Sequence, residues 1–233
     1  MNDIIPAILA KDYDDLKNEI ALVRDHVSMV QLDIADGMFV PNKTWPFTHS
    51  SRSTDPHFNK ILNEEEGLPF WEDVEFELDL MVSDAEENFD IYAKLGAKRL
   101  VFHIEAIKDL GEFKNFLEGI DLYQREVTEI GVAIGVDTPL ENLYPLISSI
   151  DFVQCMGIDN IGFQGEEFDE KVVDKIKELR EKYPDLVITV DGGITLGVAS
   201  LLLSVGVNRL VVGSAIFSST DIMGAIEDFR NID

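Results

Sequence analysis

The chain contains a single cysteine, Cys155, and only 19 lysines and arginines against 45 aspartates and glutamates in 233 residues. One thiol excludes a disulfide framework and makes a reducing, cytoplasmic compartment the expectation. Cys155 lies in an apolar run, so it reads as a buried structural thiol before a nucleophile. The shortage of bases leaves a formal net charge of −26 and an isoelectric point near 4.3. Phosphate polymers and anionic bilayers are repelled by such a surface, so neither nucleic acid nor membrane is expected as a partner. A small anion is not excluded, because a local ring of backbone N–H groups can hold one against the global field. The acidity also suits a highly soluble or salt-adapted surface. No apolar run approaches the ~18 residues that would span a bilayer, and the first residues lack the basic-then-apolar pattern of a secretion leader.

What the chain does have is alternation. Short β-favouring runs at 4–9, 29–34, 75–82, 99–104, 131–136, 151–156, 187–191 and 209–212 are separated by segments with helical periodicity. The clearest helices are at 13–24, 84–95, 169–182, 197–204 and 221–229. Helical material at 112–130 is broken near Gly119, and Pro139 opens a helix after the fifth strand. Eight such units predict an α/β fold, a single (β/α)8 barrel over residues 1–233. The exception is an irregular stretch at about 43–74 after the second strand, with Pro46, Pro56, Pro69 and the acids at 64–66. A short helix is expected within it at 56–62. A loop of that length is functional or an embellishment.

In a barrel of this kind the C-terminal ends of the strands share one mouth. The polar residues at those ends are Asp33, Asp79, His103, Glu105, Asp137 and Asp191. Carboxylates on opposite walls suit removal of a proton from one face of a carbon and delivery to the other. Asp191 is singled out because it ends Val-Ile-Thr-Val-Asp and is followed by Gly192 and Gly193. Asp137, just before Pro139, reads better as a helix cap. Glycine-rich turns follow the last three strands: Gly162, Phe163, Gln164 and Gly165, then Gly192 and Gly193, then Gly213 and Ser214. Glycines let N–H groups surround a phosphate, and Ser214 adds a hydroxyl, so a small phosphorylated ligand is expected there.

Over nearly its full length the chain resembles the ribulose-phosphate 3-epimerase family. The likeness rests on Pro6-Ala7-Ile8-Leu9, on Asp36-Gly37-Met38-Phe39-Val40-Pro41-Asn42, on Asp79-Leu80-Met81-Val82 and on Val101-Phe102-His103-Ile104-Glu105. It is completed by Val190-Asp191-Gly192-Gly193 and Gly213-Ser214-Ala215-Ile216-Phe217. The resemblance implies an isomerase of carbohydrate metabolism, acting in the pentose phosphate pathway on a ketose phosphate. It implies that Asp33 and Asp191 exchange a proton at C3, that a divalent metal polarises the neighbouring carbonyl, and that the chain forms a homo-oligomer.

The departures fall at the metal. The family binds it with two histidines and two aspartates, and both histidines are replaced here, by Gln31 and Asp79. Gln31, Asp33, Asp79 and Asp191 make an all-oxygen set, which favours Mg²⁺ or Mn²⁺ over Zn²⁺. If no metal binds, crowded acids leave one carboxyl protonated, and the chain reads alternatively as a non-catalytic, phosphosugar-binding barrel. A lyase using Asp33, Asp36 and Asp191 is the weaker rival, because neither the second nor the third strand offers a lysine. His49 and His57 in the enlarged loop are candidates to reach the mouth. His103 reads as a hydrogen-bonded structural histidine, and Trp45 and Trp71 as anchors of the loop.

Overall fold

The computed structural model describes residues 2–48 and 55–232. Eight parallel strands close into a barrel in chain order: β1 (Asp3–Ile8), β2 (Met29–Ala35), β3 (Glu75–Met81), β4 (Arg99–His103), β5 (Glu129–Ile134), β6 (Phe152–Met156), β7 (Val187–Asp191) and β8 (Arg209–Val212). The helices outside it are α1 (Tyr13–Val23), α2 (Pro56–Leu62), α3 (Phe89–Ala93), α4 (Leu110–Gly119), α5 (Leu122–Val127), α6 (Lys171–Lys182), α7 (Leu196–Ser204), α8 (Ser214–Phe217) and α9 (Ile222–Arg230). This is the single (β/α)8 barrel that the alternation predicts. No helix among the described residues is long and apolar enough to cross a membrane.

The period of two divides each strand between two environments. On β2, Val30, Leu32 and Ile34 join the apolar layer against the helices. Gln31 and Asp33 point into the barrel, where Gln31 is paired in register with Glu77 and Asp33 with Asp79. Helix α1 starts where the Asp12 carboxylate accepts the Asp15 N–H, and it buries Leu16, Ile20 and Val23 on one side.

Three expected elements are corrected. The helix at 84–95 shrinks to α3, because Asp84 and Asn88 bond to each other and Tyr92 reaches the Asp84 carboxylate. Short polar side chains of this kind compete with helix hydrogen bonds. After β5 two 3₁₀ segments, Leu140–Asn142 and Tyr144–Ser149, replace an α-helix. Pro145 lacks an N–H and stops a helix from propagating through that point. Strand β5 itself begins at Glu129, drawn earlier by the charge network below. Helix α8 is a further short element that the sequence reading did not separate. The break at Gly119 is borne out: α4 ends there and Asp121 caps α5.

The enlarged loop is stitched to the barrel at its start. The Thr44 hydroxyl donates to the Asp33 carbonyl at 2.6 Å and accepts from the Ala35 N–H at 2.8 Å. Trp45 is buried against Phe58 of α2 and Tyr13 of α1, as an anchor should be. Trp71 is 63% exposed and anchors nothing comparable. His49 lies outside the described residues.

The N-terminal end of the barrel is closed by charges. Arg99 Nε lies 2.9 Å from Glu129 Oε2 and Arg99 Nη1 lies 3.5 Å from Glu77 Oε2. Arg209 reaches the same Glu129 oxygen at 3.3 Å and Asp3 at 3.7 Å. The two guanidiniums flank the Phe152 ring. Burial raises the Glu77 pKa to about 7 although both arginines act to lower it. Breaking one partner of a buried pair strands the other charge. Arg99→Met should therefore destabilise by about 3–5 kcal/mol, and Arg99→Met with Glu77→Gln should recover much of it. Urea unfolding tests this, and a loss below about 1 kcal/mol for the single variant would contradict the pairing.

Candidate functional site

Asp33 and Asp79 lie two residues before the ends of β2 and β3, Asp191 ends β7, and their carboxylates meet inside the C-terminal mouth. One oxygen from each lies within 4.8 Å of the others. Gln31, one interior position below Asp33, places its amide nitrogen between two of them. It donates to Asp33 Oδ1 at 2.8 Å and to Asp191 Oδ2 at 2.9 Å. His103 at the end of β4 bonds Asp79 Oδ1 through Nε2 at 2.8 Å, beneath the Phe39 ring. Gln31, Asp79 and His103 are essentially inaccessible, and Asp33 and Asp191 are each 9% exposed.

The electrostatics follow from burying acids together. Desolvation, then the neighbouring carboxylates, raise the Asp33 pKa well above the ordinary aspartate value; the Gln31 amide opposes the rise. Asp191 is pushed up to about 7 by burial and then by the Asp79 charge, with the Gln31 amide and His103 opposing the rise. Burial alone would lower His103, but the charge and hydrogen bond of Asp79 win and its pKa is raised.

Each carboxylate has one oxygen held by the protein. Among the described residues no protein donor reaches the other oxygen of Asp33 or of Asp191, and Asp79 Oδ2 is buried without a partner. Three carboxylates gathered this closely fit a hard divalent cation, the class that takes carboxylates as ligands. They do not fit a tetrahedral nitrogen- and sulfur-liganded zinc. Gln31 turns its donor end to the acids, and a donor cannot ligate. Its Oε1 is buried and unpartnered, so Gln31 supports the carboxylates from behind.

The same cleft continues past Ala7, Met81, Met156 and Val211 to the glycine turns. There it is lined by Gly162, Phe163, Gln164, Gly165, Gly192, Gly193, Gly213 and Ser214, with Glu166 at its rim. Gly192 and Gly193 have φ of 102° and 69°, and a Cβ on Gly193 would stand 2.6 Å from Phe168 Cα. Only glycine fits that turn. The Gln164 side chain crosses Gly213 and donates to the Ala7 carbonyl at 3.1 Å, and Asn42 ties Gly162 from the β2 loop. Among the described residues no lysine or arginine lines this cleft.

Other residues expected at the mouth go elsewhere. Glu105 accepts from the Gly135 N–H at 2.7 Å and from Thr138, so it ties the β4 loop to the β5 loop. Asp137 faces outward to Lys171 at 3.3 Å. Asp36 accepts from Met38, Phe39 and Ser83. Those bonds outweigh its burial and lower its pKa, which marks a structural turn carboxylate. His57 stacks on Tyr13 at 3.8 Å and bonds Glu66 at 3.0 Å, outside the acid cluster. One residue of the cluster escaped sequence reading. Gln154 on β6 is fully buried and aims Nε2 at Asp191 Oδ2 from 3.5 Å. Its signal was available: it is a polar inward position in an otherwise apolar strand.

The sequence profile of the ribulose-phosphate 3 epimerase family matches residues 3–217. The cytoplasmic isoform of ribulose-phosphate 3-epimerase from Oryza sativa subsp. japonica is 31% identical over 224 residues, covering 94% of this chain and 88% of the relative. Ribulose-phosphate 3-epimerase from Bacillus subtilis (strain 168) is 30% identical over 236 residues, with 99% of each chain covered. Among solved structures, a ligand-bound crystal structure of KGPDC from Streptococcus mutans superimposes with a TM-score of 0.71 at 16% identity, over 99% of this chain and 96% of that one. The 3-hexulose-6-phosphate synthase of Salmonella typhimurium gives 0.65 at 15% identity, over 99% and 97%. At such identities the structures share the fold.

The buried acids make a pH prediction. Folded-state pKa values raised above 3.8 mean that the folded protein holds these protons more tightly than the unfolded chain. The stabilisation is complete below pH 3.8 and is lost as pH rises through about 7. Asp33→Asn removes one of the repelling charges. With a chelator present it should raise stability at pH 8 by on the order of 2 kcal/mol and by much less at pH 5. Thermal melts at both pH values are the check, and equal shifts would count against mutual repulsion.

Proposed function

Because the chain belongs to the ribulose-phosphate 3-epimerase family, we propose that it epimerises a ketose phosphate by exchanging the C3 proton between Asp33 and Asp191. The observation that carries this reading is the pair itself: carboxylates from β2 and β7, on different walls of one mouth, linked by a single amide nitrogen. The family is typically dependent on a divalent metal, and the acid triad is able to hold one. When bound, a hard cation such as Mg²⁺ or Mn²⁺ supplies positive charge that makes the hydrogen next to the carbonyl removable. Asp33, Asp79 and Asp191 would hold it.

The protein's own residues do the rest. The glycine turns after β6, β7 and β8 grip the phosphate with backbone N–H groups and the Ser214 hydroxyl, which fixes the distance from phosphate to C3. One aspartate is ionised and takes the C3 proton. The other is protonated and gives its proton to the opposite face, so the configuration inverts and the two acids exchange states. A reverse turnover uses them in the opposite sense. Raised pKa values suit this work, since a proton carrier near neutral pH can both hold and release. Asp79 and its His103 partner flank the reacting carbon without taking the proton.

Incubation of ribulose 5-phosphate with the protein in heavy water should place deuterium at C3 in the presence of Mg²⁺ or Mn²⁺. Asp33→Asn and Asp191→Asn should each slow this exchange by about 10²–10⁴-fold while phosphosugar binding persists. Binding without exchange above buffer, on ribulose, allulose and related ketose phosphates with either metal, would reduce the chain to a phosphosugar-binding barrel.

A further inference from the structure

We propose that Gln154 is a positioning residue: together with Gln31 it holds Asp191 from behind, so that the free carboxylate oxygens of Asp33, Asp79 and Asp191 face one divalent cation. The inference rests on reading the acid cluster as the cation site, and it adds a side chain from β6 that the pair of acids does not by itself require.

Three observations converge on it. Gln154 is the only polar side chain on β6, whose other inward residues are Phe152 and Met156 and whose outward residues are Val153 and Cys155. An apolar residue would fill its place if packing were the whole requirement. Second, its amide nitrogen and that of Gln31 aim at the same atom, Asp191 Oδ2, from 3.5 and 2.9 Å. A carboxylate oxygen accepts and cannot donate, so both amides must present N–H₂ to it. Third, that orientation leaves Oε1 of Gln154 and Oε1 of Gln31 buried and unpartnered. Buried amides lose free energy in this state, and the attraction to Asp191 offsets the loss, with a weaker contact from the Gln154 amide to the Met156 sulfur at 3.7 Å. His103 does for Asp79 what the glutamines do for Asp191. The site thus has three carboxylates outside and three protein donors behind them. Partners behind a ligand set its orientation, and their removal typically weakens metal binding by about 10–100-fold.

The test is a Mn²⁺ titration read by the electron paramagnetic resonance signal of free Mn²⁺, on the full chain without substrate. The unaltered protein should bind a single Mn²⁺. Gln154→Met, of similar length and without a donor, should weaken binding about 10–100-fold. Thr189→Val serves as the control. Its hydroxyl is also buried and unpartnered, and it sits beside Gln154 in register but touches no carboxylate. It should leave Mn²⁺ affinity within about twofold, since it alters no partner of a ligand. Circular dichroism and melting curves establish that each variant is folded, and Gln154→Leu is used if Gln154→Met is not. Absence of Mn²⁺ binding by the unaltered protein would overturn the proposal. So would unchanged affinity in the Gln154 variants, or an equal loss in Thr189→Val. Glutamine-dependent Mn²⁺ binding without deuterium exchange would sink the epimerase reading and leave this one standing. Exchange that persists in chelator, with no Mn²⁺ bound, would do the reverse.

Discussion

Three carboxylates buried within reach of one another are unstable company, and the upper half of the barrel is arranged around that fact. Charge at this spacing in a poorly solvated interior is strongly unfavourable. The protein relieves it in two ways that are visible and one that is available. Amide and imidazole donors take one oxygen from each acid. Protons are held more tightly than on ordinary carboxyls, well above the usual range at Asp33 and up to about pH 7 at Asp191. A divalent cation against the remaining oxygens is the third. Burial first, and then the repulsion that strains the mouth, is what raises the acids toward the useful pH range. The arginine-lined base of the barrel solves a related problem with the opposite sign, and Glu77 lies between the two ends, facing Arg99 below and feeling Asp79 above.

Much of this was legible in the residues. The inward facing of Asp33, Asp79 and Asp191 follows from alternation alone, because a period of two dictates which side chains enter the barrel. The glycine turns were legible because positive φ has a short list of tolerant residues, and Gly192 and Gly193 use it. What escaped was partnership. Nothing in the spacing shows that Gln31 would reach across the barrel to β7, or that Gln154 would meet it there from the neighbouring strand β6, since neither contact follows the chain. Glu105, read as a mouth residue, and Asp137, read as a helix cap, misled for the complementary reason. They stand at strand ends, but their loops turn them to Thr138 and Lys171 instead of the mouth. Helix 84–95 was read from apolar periodicity, which cannot register that Asp84 bonds Asn88 and Tyr92.

The replaced histidines need not mean a lost function. A histidine ligand is neutral, so exchanging one for Asp79 adds negative charge where the cation would sit. Exchanging the other for Gln31 substitutes a donor for a ligand. Taken together the changes move the site from a mixed nitrogen–oxygen set to a compact carboxylate triad with amide support. Carboxylates are ligands for hard cations, so the acid triad suits the Mg²⁺ or Mn²⁺ of the proposed reading.

The last constraint is the charge of the whole chain. A surface carrying −26 repels a phosphorylated sugar at long range, and among the described residues the cleft offers no lysine or arginine to counter it. Recognition must then be short-ranged. Backbone N–H groups in the turns after β6, β7 and β8 act over a few ångströms, a distance at which they outweigh a diffuse surface field that salt screens within about 8–10 Å. The cost falls on the rate of encounter, not on the grip once formed, and it diminishes as ionic strength rises. An acidic exterior and an anion-binding mouth are therefore compatible in one barrel, provided that the anion is small enough to be enclosed by the glycine turns.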